Sequence, residues 1–348
     1  MVNISFGWIS TNSFQSEKNV PTRWIGKRNV KLGSSNPIDL IFLEGFKKLN
    51  KEYTDSLRDV GYTIIDVEGI YSEKKKKFSK LNRFSEYERR CFLRWLVIKD
   101  IYGDSNIIHY DGDVVFNEIP ENLERKLGKY TFVLQGCPAF VSLRDPTWLE
   151  LYGKNLTLFC DNIDKYSADA WNLRGGYKYS WKHKWAGARY RKIISSDQDL
   201  ISHLIHVDLL PQDPPNIIKG SNPDLILFDN PLYIFSHNPE ISKASYHRNG
   251  LVDYFGNQKV AFWHMQNDFA DYLKMIYFWK DKLRSPFKVP NRLEIDKVGA
   301  VDKFKIKLIN YASIPIVKKL DRKFICRYFF ESSNFSKIFN KENFWYWV

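Results

Sequence analysis

Two aspartates one residue apart, Asp111 and Asp113, flank Gly112 and follow a short apolar run that ends at Tyr110. Carboxylates at this spacing can reach one hard divalent cation such as Mg²⁺ or Mn²⁺, which prefers oxygen ligands. A diphosphate would supply further oxygens, and the metal would neutralise the charge that builds on it. The alternative is an Asp-Gly turn within a β-hairpin. Apolar strands on both sides and a long helix before the motif favour the metal site.

A second acidic pair, Asp197 and Asp199, stands in the segment Ser-Ser-Asp-Gln-Asp-Leu at the predicted start of a helix. One interpretation is structural, because acids near a helix N-terminus cap its amide groups and interact well with its dipole. The other is catalytic, with one carboxylate next to a reacting hydroxyl or carbon. The segment by itself does not separate the two.

Two further side chains could join the metal or a bound phosphate. His264 ends an apolar run and could ligate a metal through a ring nitrogen, although a single histidine is more often structural. Arg94 lies in the predicted helix that precedes the Asp-Gly-Asp motif, one turn after Arg90 and next to Trp95. Arginine can clamp a phosphate through two nitrogens, so we expect Arg94 to contact a phosphate-bearing ligand.

Strands and helices that alternate through the first half of the chain would position these residues. Such alternation predicts an α/β fold with a mostly parallel sheet flanked by helices, in which ligands lie beyond the carboxyl ends of the strands. Residues 11–35 and the lysine run 74–77 are predicted to be loops. Helices are predicted over 37–49, 83–102, 148–160, 197–208 and 268–282, and strands over 2–9, 62–67, 106–110, 114–116, 130–134, 139–143, 225–228 and 259–263.

Composition narrows the classes of protein. The chain has 348 residues, 44% of them hydrophobic, which is enough for a sizeable core. Its net charge of +13 favours an anionic partner. The four cysteines show no CxxC spacing, so a zinc site is not indicated and a reducing compartment is favoured. Neither a signal peptide nor an apolar run long enough to span a bilayer is visible, and we expect a cytoplasmic protein.

The order of these motifs resembles that of the GT-A-fold glycosyltransferases over roughly residues 1–280. An Arg-Trp helix comes first, followed by Ile-Ile-His-Tyr-Asp-Gly-Asp-Val-Val-Phe, then Ser-Asp-Gln-Asp-Leu, then Trp-His-Met-Gln. The Asp-Gln-Asp element is similar to one in retaining enzymes related to glycogenin and bacterial galactosyltransferases. Their usual His-x-x-Gly-x-x-Lys ending is absent, since Met-Gln-Asn-Asp follows His264, so the subgroup and the stereochemistry stay open.

The resemblance implies a nucleotide-sugar donor and a Mn²⁺ or Mg²⁺ cofactor. Asp111 would contact the ribose or the metal, Asp113 would be the main metal ligand, and His264 would be the third protein ligand. The donor site would include Gly112 and Arg94. The base would lie against the first strand and its loop, residues 6–10, which include Phe6, Gly7 and Trp8, with Asp66 a weaker candidate for a base or ribose contact. Asp197 or Asp199 would act at the acceptor hydroxyl or orient the donor.

We therefore expect a GT-A-type catalytic domain over residues 1–285, with a donor half to about residue 120 and an acceptor half over 121–285. A basic, aromatic helical appendage is expected over 286–348. The acceptor is predicted to be a growing surface glycan or a lipid-linked glycan, with the aromatic stretch 165–192 on its side. A partly disordered insertion is the alternative interpretation of that stretch.

The last part of the chain suggests a membrane surface as a partner. Residues 302–348 hold ten lysines and arginines against four acids, with twelve aromatic residues among them. Cations meet anionic headgroups and amphipathic rings sit at the boundary, so peripheral attachment to the inner face of a membrane is one hypothesis. Packing of the aromatic residues onto the catalytic domain is the other.

Two further classes of protein compete with the transferase. A nucleic-acid-binding protein or metal-dependent nuclease would suit the positive charge. It gives no reason for an Arg-Trp helix that leads into Asp-Gly-Asp, so no nucleic-acid partner is expected. A non-catalytic carbohydrate-binding protein is the third class, which hydrolysis of a UDP- or GDP-sugar would exclude.

Overall fold

The computed structural model describes residues 2–7, 20, 22–134, 138–172, 194–226 and 246–264. The chain divides into two compact units. The first takes its described residues from 1–16, 33–114 and 119–223, and the second takes its described residues from 17–32, 115–118 and 224 onward. Within the described ranges, no helix combines the length and the apolar character needed to cross a bilayer.

The strands, numbered in chain order, are short. Their bounds are β1 Val2–Phe6, β2 Ile38–Phe42, β3 Tyr62–Asp66, β4 Ile107–Tyr110, β5 Val114–Phe116, β6 Phe132–Val133, β7 Phe140–Leu143, β8 Leu225–Ile226, β9 Tyr246–Asn249, β10 Val252–Phe255, β11 Gln258–Val260 and β12 Phe262–His264.

Helices lie between most of these strands. Their bounds are α1 Thr22–Leu32, α2 Lys51–Arg58, α3 Glu68–Lys77, α4 Glu86–Tyr102, α5 Pro120–Leu127, α6 Trp148–Asp161, α7 Ile163–Asn172, α8 Asp197–His206 and α9 Pro215–Ser221, with single 3₁₀ turns at Phe46–Lys48 and Ser79–Arg83.

The first unit is built on a six-stranded sheet with the order β3-β2-β1-β4-β7-β6. The four strands from β3 to β4 are parallel, β7 pairs antiparallel with β4, and the edge strand β6 pairs antiparallel with β7. This arrangement confirms the predicted α/β fold with a mostly parallel sheet. Because parallel strands end at the same edge, β1 and β4 deliver their following residues, Gly7 and Asp111, to neighbouring positions.

Helices cover both faces of this sheet. On one face Ile4, Phe6 and Ile107 belong to the hydrophobic core together with residues of α4 and α6. On the other face Asn3 donates to the Glu124 carboxylate of α5 at 3.3 Å, and the Ser142 hydroxyl donates to the Leu127 carbonyl at 3.1 Å.

The helix that leads into β4 begins and ends with strong local signals. A capping box of Ser85 and Glu88 satisfies the first amide groups of α4, and Gly103 ends the helix with a φ of 58°. Nine residues of α4 are buried, among them Trp95 and Arg94. The sequence prediction of a helix over 83–102 is therefore confirmed, as are those over 148–160 and 197–208 within a few residues.

Three predictions of local structure were wrong. Residues 38–42 form the buried strand β2, not a helix, because β1 and β3 pair with both of its edges and override the apparent helical spacing. Residues 22–32 form α1, not a loop, and bury one side that includes Trp24 and Ile25. The lysine run 74–77 is the last turn of α3, where cations interact favourably with the helix dipole.

The second unit contains two smaller sheets. One has four strands in the order β8-β11-β10-β9, with antiparallel pairing of β10 to both neighbours and parallel pairing of β11 to β8. The other is the pair β12-β5. The single strand predicted over 259–263 is thus two short strands, β11 and β12. The helix predicted over 268–282 and the appendage over 286–348 lie outside the described residues.

We expect Gly7→Ala to destabilise the protein, because a Cβ at Gly7 would lie 2.3 Å from the buried ring of Phe42. Moving that ring should lower the free energy of unfolding by about 1–3 kcal/mol, measured by urea denaturation. Gly69→Ala in α3 is the control, since a Cβ there meets nothing within 4 Å. It should be neutral or stabilising by up to about 1 kcal/mol. Equal effects of the two substitutions would contradict the close approach at Gly7.

Candidate metal site

The Asp-Gly-Asp motif follows directly on β4 at the carboxyl end of the parallel strands. The Asp111 amide donates to the carbonyl of Ala139 at 2.8 Å, and the Val114 amide donates to the carbonyl of Asp111 at 3.1 Å. The motif is therefore a tight turn. It does not form the predicted alternative, a β-hairpin, because β4 pairs with β1 and β7 whereas β5 pairs with β12.

Asp111, Asp113 and His264 form a group that could hold a metal ion. One ligand atom from each residue lies within 4.8 Å of the others. The two aspartates are half-buried and His264 is buried. Two carboxylate oxygens and one imidazole nitrogen suit a divalent cation such as Mn²⁺ or Mg²⁺ and leave positions for other oxygens. The chemistry of this donor set thus fits the predicted metal.

Arg94 connects the motif to the second acidic pair. Its side chain is 2% exposed; Nη1 donates to Asp111 Oδ1 and Nε donates to Asp197 Oδ2, both at 2.7 Å. The indole of Trp95 also donates to Asp197 Oδ2, at 2.9 Å. Burial lowers the pKa of Arg94, but Asp197 and Asp111 together raise it well above its ordinary value, so it stays cationic. The predicted donor contact of Arg94 stays a prediction.

Asp197 and Asp199 are both buried at the start of α8 but make different contacts. Asp197 accepts from Arg94 and Trp95 as described, and its Oδ1 accepts from the Gln198 amide at 2.8 Å. Asp199 Oδ2 accepts from the amide and hydroxyl of Ser195, at 2.8 and 2.9 Å. Burial raises the pKa of Asp199 to about 7, although these hydrogen bonds from Ser195 lower it. Asp199 therefore caps α8, and the catalytic roles of both acids stay predictions.

His109 lies on β4 two residues before Asp111 and is fully buried. Its ring meets those of Phe6 and Trp95 edge-on, with centroids 5.4 and 5.1 Å apart, and Nε2 lies 3.3 Å from Asp111 Oδ1. Burial lowers the pKa of His109 to about 4, and the charge of Arg94 lowers it further while Asp111 opposes the change. At neutral pH the imidazole is uncharged.

The predicted base-binding residues are placed only in part. Phe6 ends β1, and its ring lies 5.9 Å from the Arg94 guanidinium carbon. Gly7 donates through its amide to the carbonyl of Ile41 at 2.9 Å. Asp66 is exposed at the end of β3, where its carboxylate accepts from the Glu68 amide at 3.2 Å.

Part of the predicted site falls outside the described residues. Trp8 lies there, as does most of the aromatic stretch predicted for the acceptor. Of that stretch, Tyr166 packs edge-on against Phe159 and His203, with centroid distances of 5.9 and 5.8 Å.

Sequence reasoning missed two features of the site. The first is the link from Trp95 to Asp197, which joins residues far apart in the chain and has no local signature. The second is His109, whose position two residues before Asp111 on an apolar strand places it on the same side of the sheet as α4. No protein-family model matches the chain, and no curated protein matches it significantly.

We expect Arg94→Met to lower the free energy of unfolding by about 3–5 kcal/mol, because it leaves two carboxylates without their buried cation. Urea denaturation measures the change. Arg58→Met is the control, since Arg58 makes an exposed pair with Asp55 at 2.7 Å that should contribute less than about 1 kcal/mol. Similar small losses in both variants would show that the buried pair contributes little.

We expect His109 to make stability rise with pH. Its pKa is about 4 in the folded protein and near 6.5 when exposed, so the unfolded state binds more protons between these values and stability increases through this window. His109→Gln lacks this titration. The unfolding free energy of the wild type minus that of the variant should therefore increase from pH 4 to 6.5 and stay constant above pH 6.5. A difference that does not change with pH would contradict the buried neutral imidazole.

Proposed function

We propose that this protein is a metal-dependent glycosyltransferase of GT-A type. It would move a sugar from a UDP- or GDP-sugar donor to a glycan or lipid-linked acceptor, in surface polysaccharide synthesis. The observation that carries the proposal is the convergence of Asp111, Asp113 and His264 ligand atoms within 4.8 Å, two of them directly after a parallel strand of an α/β sheet. Ligands of such sheets bind beyond the carboxyl ends of their strands.

The residues of this chain would bind the metal, orient its ligands and border the nucleotide base. Asp111, Asp113 and His264 would hold Mn²⁺ or Mg²⁺, which neutralises charge on a leaving diphosphate when bound. Arg94 holds the Asp111 carboxylate at 2.7 Å and so orients the group. The Phe6 ring is buried in the core beside Arg94, so the base would lie against the backbone that follows β1 at Gly7, beyond the carboxyl end of that strand.

The contacts of the second acidic pair favour an orienting role. Asp197 accepts hydrogen bonds on both carboxylate oxygens, and Asp199 accepts from Ser195 at the start of α8. A general base must reach the proton that it removes, whereas these two carboxylates already accept hydrogen bonds from neighbouring protein groups. We therefore propose that Asp197 orients Arg94 and through it Asp111.

Asp113→Asn should lower Mn²⁺-dependent hydrolysis of the donor sugar by at least about 100-fold, because the metal contributes several kcal/mol to stabilising the developing charge. The assay is release of UDP or GDP from a panel of sugar nucleotides, with and without Mn²⁺. Asp104→Asn, at an exposed position before β4, is the control and should keep wild-type rates. EDTA should abolish activity, and added Mn²⁺ should restore it.

Two results would contradict the proposal. Undiminished hydrolysis in excess EDTA would remove the metal from the reaction. Absence of hydrolysis across the donor panel, together with a mobility shift of random nucleic acid that persists at moderate salt, would favour the nucleic-acid-binding alternative.

A further inference from the structure

The candidate metal ligands lie at the ends of two paired strands. Asp113 directly precedes β5, and His264 is the last residue of β12. Just after β5, the amides of Asn117 and Glu118 both donate to the carbonyl of Ala261, just before β12, at 2.9 and 3.1 Å. The positions of these two ligands therefore depend on what holds β5 and β12.

One buried arginine holds the end of β5. Arg28 of α1 is 3% exposed; its Nε donates to the Phe116 carbonyl at 3.1 Å and its Nη2 donates to Asn117 Oδ1 at 2.9 Å. Nη2 also donates to the carbonyl of Leu251, directly before β10. A guanidinium presents its donors in a rigid planar fork, so these three acceptors take defined positions relative to one another.

The same strand β10 also holds β12. The Trp263 indole donates to Asp253 Oδ2 of β10 at 2.8 Å, and both side chains are fully buried. Because side chains alternate along a strand, Trp263 and His264 point to opposite faces of β12. The rings of Phe116 and Phe262 meet edge-on across the β5–β12 pair, with centroids 6.5 Å apart.

These contacts connect Arg28, β5, β12 and β10 in a closed loop of interactions. Arg28 binds the end of β5, β5 pairs with β12, β12 is held by Asp253 of β10, and the residue before β10 binds Arg28 again. Without the guanidinium, the carbonyls of Phe116 and Leu251 would each lose a hydrogen bond from a buried cation, which weakens the attachment of both segments. The end of β5 would then no longer be tied through Arg28 to the residue before β10.

We propose that Arg28 is a positioning residue for the metal group. It acts on Asp113 through β5, and on His264 through the pairing of β5 with β12. The inference rests on the metal group of the proposed function and does not depend on the sugar donor. Hydrogen-bond partners of metal ligands change metal affinity by about 10–100-fold when they are removed, and Arg28, which acts through a strand, should have an effect at the lower end of that range.

The test measures the affinity of the full chain for Mn²⁺ alone, by titration calorimetry or by electron paramagnetic resonance of the free ion. Arg28→Gln should weaken Mn²⁺ binding by about 10-fold, the lower end of the range for groups that contact metal ligands directly. Arg28→Lys should weaken it less, since an ammonium keeps the charge but cannot span all three acceptors. Arg89→Gln is the matched control: Arg89 is 8% exposed and contacts Asn82 and Glu86, and its loss should leave Mn²⁺ affinity within about twofold of wild type.

Folded Arg28→Gln with wild-type Mn²⁺ affinity would overturn the inference, as would an equal loss in Arg89→Gln. If Arg28→Gln does not fold, Arg28→Lys decides, and unchanged affinity in that variant overturns the inference. Wild-type protein that binds no Mn²⁺ would overturn both the inference and the proposed function. Wild-type protein that binds Mn²⁺ but hydrolyses no sugar nucleotide would remove the proposed function alone and leave the role of Arg28 in place.

Discussion

A guanidinium buried between two carboxylates joins three parts of the first unit. Arg94 comes from the middle of α4, Asp111 from the end of β4, and Asp197 from the first turn of α8. The charges of Arg94 and Asp197 would be costly in the core without their partners, because burial removes the water that stabilises them. The three elements therefore have to meet for Arg94 and Asp197 to be buried at low cost.

The surroundings of this cluster follow from the same constraint. Trp95 supplies a further donor to Asp197, and the neutral imidazole of His109 fills the space beside Asp111 without adding a second buried cation. Aromatic rings of Phe6 and Trp95 pack against Arg94 and His109, which keeps water away from the cluster. Asp111 is thus oriented before any ligand arrives, the condition under which a binding site needs least reorganisation.

The second unit uses neutral acceptors in place of carboxylates around its own buried arginine. Arg28 donates hydrogen bonds to the carbonyls of Phe116 and Leu251 and to the side-chain oxygen of Asn117. Separately, the carboxylate of Asp253 accepts a hydrogen bond from the indole of Trp263. Directional hydrogen bonds to backbone carbonyls fix strand positions more specifically than apolar packing does. Short strands such as β5 and β12 have few ladder bonds of their own, so side-chain bonds of this kind matter more for them.

Local patterns along the chain were enough to establish the α/β class, the presence of the helix α4, and the Asp-Gly-Asp motif at the end of β4. Each rests on residues close in sequence, where hydrophobic periodicity and turn chemistry act directly. Tertiary contacts decided the rest. Residues 38–42 became a strand because two neighbours pair with them, and 22–32 became a helix whose Arg28 binds residues far along the chain. The choice of β12 over β4 as partner of β5, and with it the meeting of His264 with Asp111 and Asp113, depends on long-range strand pairing that no local pattern encodes.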